Sequence, residues 1–164
     1  MELTWFGRYR DIVTALVYHT NCVNRSANIR ENYGSGVMLT AQEWQTLETI
    51  IEHDNENLIM SDISKLLGIP LSTLSKLTKQ LLSQGLVERY RIDGNRKNII
   101  LRPSKKGYLL YQEHCEAVTT PLFQRFFNKL EPLSDEQLKI ISDAIIALNT
   151  EMDEDQVRRL IKME

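Results

Sequence analysis

The chain has 164 residues, 42% apolar and 26% charged, with a formal net charge of −2; this suits one compact domain, or a small domain with long helical extensions. No apolar run reaches the roughly 18 residues of a membrane-spanning helix, and two cysteines, Cys22 and Cys115, do not make a disulfide framework. The opening stretch MELTWFGRYRDIVTALVYH has dispersed charges and no small-residue cleavage site, so the expectation is a cytoplasmic protein with reduced thiols.

Helical signals dominate from the start. Ile12, Leu16, Val23 and Ala27 recur at helical spacing, with His19 in the missing position, and NYGSG at 32–36 is expected to end that helix. A second helix begins at LTAQEW, where Thr40 caps, Glu43 closes a capping box, and Leu39 with Trp44 forms a hydrophobic staple. A short third helix opens at Ser61 and stops at Gly68. After the GIP link comes LSTLSKLTKQLLSQG, with Leu74, Leu77 and Leu81 on one face and Gly85 as terminator. Two short helices joined this tightly form a helix-turn-helix candidate.

Next, LVERYR and NIILR are extended runs around a turn containing Asp93-Gly94, as in a hairpin. A hairpin directly after a helix-turn-helix makes a winged helix. Ser104 then caps a long helix expected to reach Thr119 or beyond, and Pro121 implies a kink or restart because proline lacks the amide donor. A last helix opens at LSDEQL, with Ser134 as cap, Gln137 completing the box and Leu133 with Leu138 as staple. It runs through Ile141, Ile145, Leu148 and Met152, with a break expected near MDEDQ.

The fold class read from this order is mainly α with a small β-hairpin. It divides into an N-terminal dimerisation helix (1–36), a winged helix-turn-helix (37–103) and C-terminal dimerisation helices (104–164). The terminal helices carry more apolar stripe than so small a module can cover, which points to a homodimer.

Charge singles out the middle of the chain. Between Leu71 and Leu110 nine cations stand against Glu88 and Asp93, a net of +7, so the remainder carries −9 of the total −2. Charge runs are commonly just solvated faces, but here the cations cluster on one sub-structure, which suits a polyanion such as double-stranded DNA. With the leucines turned inward, the fourth helix presents Ser72, Thr73, Ser75, Lys76 and Lys79; short hydroxyls and cations suit base edges and phosphates. At the hairpin, Arg96 is placed to enter a minor groove, with Arg89, Arg91 and Lys97 on the flanking backbone.

These segments resemble the MarR family of bacterial winged-helix regulators. The resemblance lies in LTAQEWQTL, ISKLLGIPLSTLSKLTKQLLSQGLVERYR and NRKNIILRPSKKG, in register from about Leu39 to Gly107. It implies a triangular homodimer reading a pseudo-palindrome, usually a repressor relieved by a small molecule or oxidant, and it places Arg96 on the family's wing arginine. The chain departs from the family pattern at several positions. Asn95 replaces an aspartate, Lys97 a second arginine, Pro103-Ser104 a Leu-Thr pair, and Pro70 the usual hydroxyl cap of the recognition helix. Either Asp93, two residues earlier, substitutes for that aspartate as the brace of the wing, or the wing is ordered only on DNA.

The input signal is the least legible part. An effector pocket would draw on Tyr18, His19, Cys22, Trp44, Tyr111, His114 and Cys115, though such aromatics are more often core. Cys22 could serve an oxidant sensor, but a buried structural thiol is the plainer reading because nothing in the sequence lowers its pKa. His19, Cys22, His114 and Cys115 include no tight ligand motif, so neither metal nor other cofactor is expected. A protein-binding winged helix is one alternative, and a thiol- or metal-sensing variant of the same regulator is another. No phosphate loop, nucleophile elbow or HExxH motif occurs, so an enzyme is not expected.

Overall fold

The computed structural model describes residues 4–32, 36–91, 98–115 and 120–154. The chain divides into two compact units, Met1–Val118 and Thr119–Glu164.

In the first unit, a 3-10 turn (Thr4–Tyr9) leads into helix α1, Arg10–Ser26. The helix stops at Ser26, ahead of the NYGSG stretch expected to end it. The Ser26 hydroxyl donates to the Cys22 and Val23 carbonyls, and Arg30 is drawn away by Glu43 and the Met38 carbonyl. Glu31–Asn32 (β1) then pairs antiparallel with Met38–Leu39 (β2). His19 is exposed on α1 rather than set in a buried stripe.

Helix α2, Ala41–Glu52, starts as expected: the Thr40 hydroxyl accepts from the Glu43 amide and the Glu43 carboxylate from the Thr40 amide. Both staple residues, Leu39 and Trp44, are buried. Helix α3 spans Met60–Leu66, opening one residue before the expected start. Helix α4 spans Leu71–Ser83 with Pro70 at its N-cap and no side-chain cap there. Gly68 and Gly85, the expected stops, both take positive φ, at 61° and 69°, where a Cβ would be strained.

The wing strands are β3 (Val87–Arg91) and β4 (Ile99–Pro103), paired antiparallel with Arg89 opposite Leu101 and Arg91 opposite Ile99. A single bridge between Ile59 and Ile100 ties β4 to the chain just before α3. Helix α5, Lys105–His114, is capped by the Ser104 hydroxyl, which accepts from the Gly107 amide at 3.0 Å. Residues 116–119, on which the expected continuation of this helix falls, lie outside the described residues.

One core joins these elements. Leu39, Trp44, Leu47, Ile50, Ile63, Leu74, Leu81, Leu86, Val87, Leu101 and Leu110 form a contiguous buried cluster, the area-proportional term that holds the helix-turn-helix, wing and α5 together.

The second unit has helices α6 (Thr120–Leu130) and α7 (Asp135–Glu154). Pro121 falls in the first turn of α6, the restart its missing amide favours. The α7 capping box forms, with the Gln137 carbonyl accepting from the Ser134 amide at 3.0 Å and the Ser134 hydroxyl from the Gln137 amide at 3.3 Å. The break expected near MDEDQ falls partly beyond Glu154, outside the described residues.

Candidate nucleic-acid interface

The polar face of α4 is set by what its other face buries. Leu74, Thr78 and Leu81 are buried and Leu77 is half-buried. The inward stripe therefore includes a threonine that the leucine pattern passes over. Thr78 lies four residues after Leu74 and three before Leu81, so helical spacing alone could have flagged it. Its hydroxyl, 3.3 Å from the Ser75 carbonyl, donates within the helix. The opposite side carries exposed Ser72, Ser75, Lys76 and Lys79, with Thr73 half-buried.

On β3, alternation places Arg89 and Arg91 together on the face that carries Leu101 and Ile99 across the strand pair. Both arginines are exposed. Ser75 and Arg89, with Met60, Leu71, Thr78 and Ile99, line one cavity of about 220 Å³. Ser75 of α4 and Arg89 of β3 thus converge, although the sequence separates them by 14 positions. Arg96 and Lys97, and the turn residues Asp93 and Asn95, lie outside the described residues.

Two cations of the basic segment are already engaged within the protein. Arg102 donates through Nη1 to Asp54 Oδ1 at 2.8 Å and through Nη2 to Asn57 Oδ1 at 2.5 Å. Lys106 Nζ donates to the Gln84 carbonyl at 2.9 Å. The segment's formal charge therefore overstates what it offers to a polyanion.

The seven residues grouped as an effector site separate onto different elements. Tyr18, His19 and Cys22 lie on α1, where Arg25 donates to Cys22 Sγ at 3.2 Å. Trp44, Tyr111, His114 and Cys115 come together between α2 and the end of α5. The Trp44 and His114 ring centroids are 3.7 Å apart, and Trp44 and Tyr111 are stacked at 6.1 Å. Trp44 and His114 are buried, so these two rings are packed as core, with Tyr111 and Cys115 half-buried. Burial, then the hydrogen bond with Cys115, then the nearby Glu48 and Glu52 carboxylates push the Tyr111 phenol up to about 12. Among the described residues no group of three or more His, Cys, Asp or Glu side chains could hold a metal ion, and no helix is long and apolar enough to cross a membrane.

Residues 39–97 match the model of the MarR family. This segment is similar to the MarR family. The match takes in the capping box of α2, the whole helix-turn-helix and β3 of the wing. Solved structures share the fold of most of the chain. SlyA, a transcriptional regulator, aligns at TM-score 0.64 with 20% identity, over 88% of this chain and 96% of that one. FabT of Streptococcus pneumoniae, solved in complex with DNA, aligns at 0.59 with 21% identity, over 90% and 99%. The zinc-responsive MarR family member ZitR of Lactococcus lactis aligns at 0.60 with 20% identity, over 87% and 97%. No curated protein matches.

Proposed function

We propose that the chain is a sequence-specific DNA-binding transcriptional regulator acting as a homodimer on a pseudo-palindromic operator. In this reading it is a repressor released by a small molecule or oxidant. The observation that carries the DNA reading is the convergence of Ser75 on α4 and Arg89 on β3 at one cavity, flanked by exposed Lys76, Lys79 and Arg91. A helix presenting short hydroxyls and lysines suits a major groove, and arginines on a neighbouring strand suit the phosphates beside it. FabT and MepR of S. aureus have each been solved with DNA, which supports the same use of the fold here. Arg96 and Lys97 join the proposed contacts on the sequence evidence alone.

Self-association is supported by apolar side chains exposed on the helices of each unit. Ile12, Val17 and Val23 on α1, and Phe126, Ile140 and Ile146 on α6 and α7, are all exposed in the single chain. A two-fold dimer matches a two-fold operator.

The release step rests on family resemblance. PcaV of Streptomyces coelicolor was solved with its natural ligand, and AdcR is zinc-dependent. In this chain the Trp44–His114 group is packed, so no chemical class of effector is assigned.

The test is selection of duplexes from a random-sequence pool by the full-length protein, followed by binding titrations against salt. A two-fold consensus is expected. Lys76→Ala and Lys79→Ala should each weaken selected and shuffled duplexes alike and lower the salt slope by about one. Failure to enrich any sequence, together with tight binding to a protein, would replace this reading with the protein-interaction module.

A further inference from the structure

Arg102 sits on β4 in the middle of the basic segment, yet its guanidinium points to the loop between α2 and α3. Two of its N–H groups are taken by Asp54 and Asn57, 48 and 45 residues earlier in the chain. Asp54 is held from a second side, because the Tyr108 hydroxyl of α5 donates to its Oδ2 at 2.8 Å. Asn57 takes the left-handed conformation, φ 52°, which turns the loop back toward β4. Two residues later Ile59 bridges to Ile100, the strand neighbour of Leu101. The Asp54 and Arg102 side chains are only 23% and 30% exposed, so their pairing is less screened than a surface ion pair.

The same loop leads into α3 and so into the helix-turn-helix. Whatever fixes β4 to it fixes the wing's base relative to α4. We propose that Asp54 and Arg102, with Asn57 and Tyr108 as supports, are positioning residues for DNA binding, and that Arg102 touches no nucleic acid. The brace holds Arg89 and Arg91 in the placement that lets α4 and the wing engage one duplex together. Without it, binding to a specific site must first order the wing, a cost that lowers affinity. Random DNA, held mainly by charge, demands no such register. The proposal rests on the DNA-binding reading above and deepens it.

The experiment uses the full-length protein with a duplex selected from a random pool and a shuffled duplex of equal length. Three variants are compared, Asp54→Asn, Arg102→Gln and Arg102→Lys. Each should weaken the selected duplex by about tenfold while changing the shuffled one by less than about threefold, with the salt slope kept. Arg102→Lys is the sharpest arm. It retains the charge that a phosphate contact would need, but a single ammonium cannot reproduce the fork that joins Asp54 to Asn57. Equal weakening on both duplexes by Arg102→Gln, with a slope lower by about one and full retention by Arg102→Lys, would show a phosphate contact and overturn the proposal. Unchanged selected-duplex affinity in Asp54→Asn would do the same. Amide hydrogen exchange at residues 99–102 in the DNA-free protein reads the brace by itself, and faster exchange is expected in all three variants. If no duplex is selected, the DNA-binding reading fails separately; unaltered exchange would show that the brace fails as well.

Discussion

Nη2 of Arg30 stands 2.6 Å from Oε1 of Glu43, and the other oxygen of the same carboxylate accepts from the Thr40 amide at 2.9 Å. One side chain therefore closes the capping box of α2 and fastens the segment that follows α1. Arg30 also donates to the Met38 carbonyl at 3.0 Å, so the β1–β2 turn is pinned to the N-terminus of α2. The Glu43 side chain is nearly buried and that of Arg30 is partly exposed.

This double duty predicts a graded loss. Glu43→Gln retains a group able to accept from the Thr40 amide and should cost about 1 kcal/mol. Glu43→Ala removes both the cap and the partner of Arg30, at about 2–4 kcal/mol. Denaturant midpoints of the two variants measure this. Equal effects would mean that the cap kept by glutamine adds nothing beyond the Arg30 pairing lost in both variants.

Gly107 answers to packing rather than to backbone angle. A Cβ built there would lie 2.2 Å from the Leu86 carbonyl oxygen, which also accepts from the Ser104 amide at 2.9 Å. Helix propensity favours alanine over glycine by about 1 kcal/mol, yet this overlap is with backbone and cannot be relieved by a rotamer. Gly107→Ala is therefore expected to destabilise by about 2–3 kcal/mol, seen as a fall in Tm. A rise in Tm would show that α5 can move off Leu86 freely.

Two groups between α2 and α5 give pH signatures. Burial, then the Glu52 carboxylate, raises the Glu48 pKa above its usual value. A raised carboxyl pKa favours the protonated form in the folded state, so this contribution is present at low pH and lost as pH climbs through the folded pKa. Glu48→Gln should accordingly stabilise the protein at neutral pH, and the advantage should vanish below pH 4.5, the unshifted value. Chemical denaturation at both pH values checks it.

At the alkaline end, the Tyr111 phenol ionises at about 12, against an ordinary 10.0. Above the ordinary value the unfolded chain loses this proton first, so the stability linked to Tyr111 is present below pH 10.0 and falls as pH approaches 12. Tyr111→Phe is expected to remove the latest phase of the phenolate absorbance titration. A wild-type curve whose latest phase survives this change would contradict the assignment.

In α6, Phe127 lies within ring contact of Phe123 and Phe126, at centroid distances of 5.8 and 6.1 Å, and all three are exposed in the single chain. An aspartate at this centre should oppose self-association, because burying it in an apolar interface leaves an unpaired charge. Sedimentation velocity should show a dimer for the wild type and a monomer for Phe127→Asp. A wild-type monomer would remove the homodimer from the proposed function.

The boundary between what the sequence and the tertiary structure determined follows the range of the forces. The α2 cap at Thr40, the α5 cap at Ser104, the α7 box at Ser134 and the stops at Gly68 and Gly85 are settled within four residues of chain, and each was legible. So were the winged-helix order and the exposed face of α4, because amphipathic spacing is a local record of which side is buried. The end of α1 was misplaced because the group that redirects the chain, Glu43, lies 13 residues beyond Arg30. Only packing could show that Thr78 faces the core, that Arg102 belongs to Asp54, and that Leu86 needs a glycine opposite it. It also brought the Trp44 and His114 rings to within 3.7 Å of each other. Periodicity says which residue types share a face, but a charge finds its partner only once distant segments have been packed into contact.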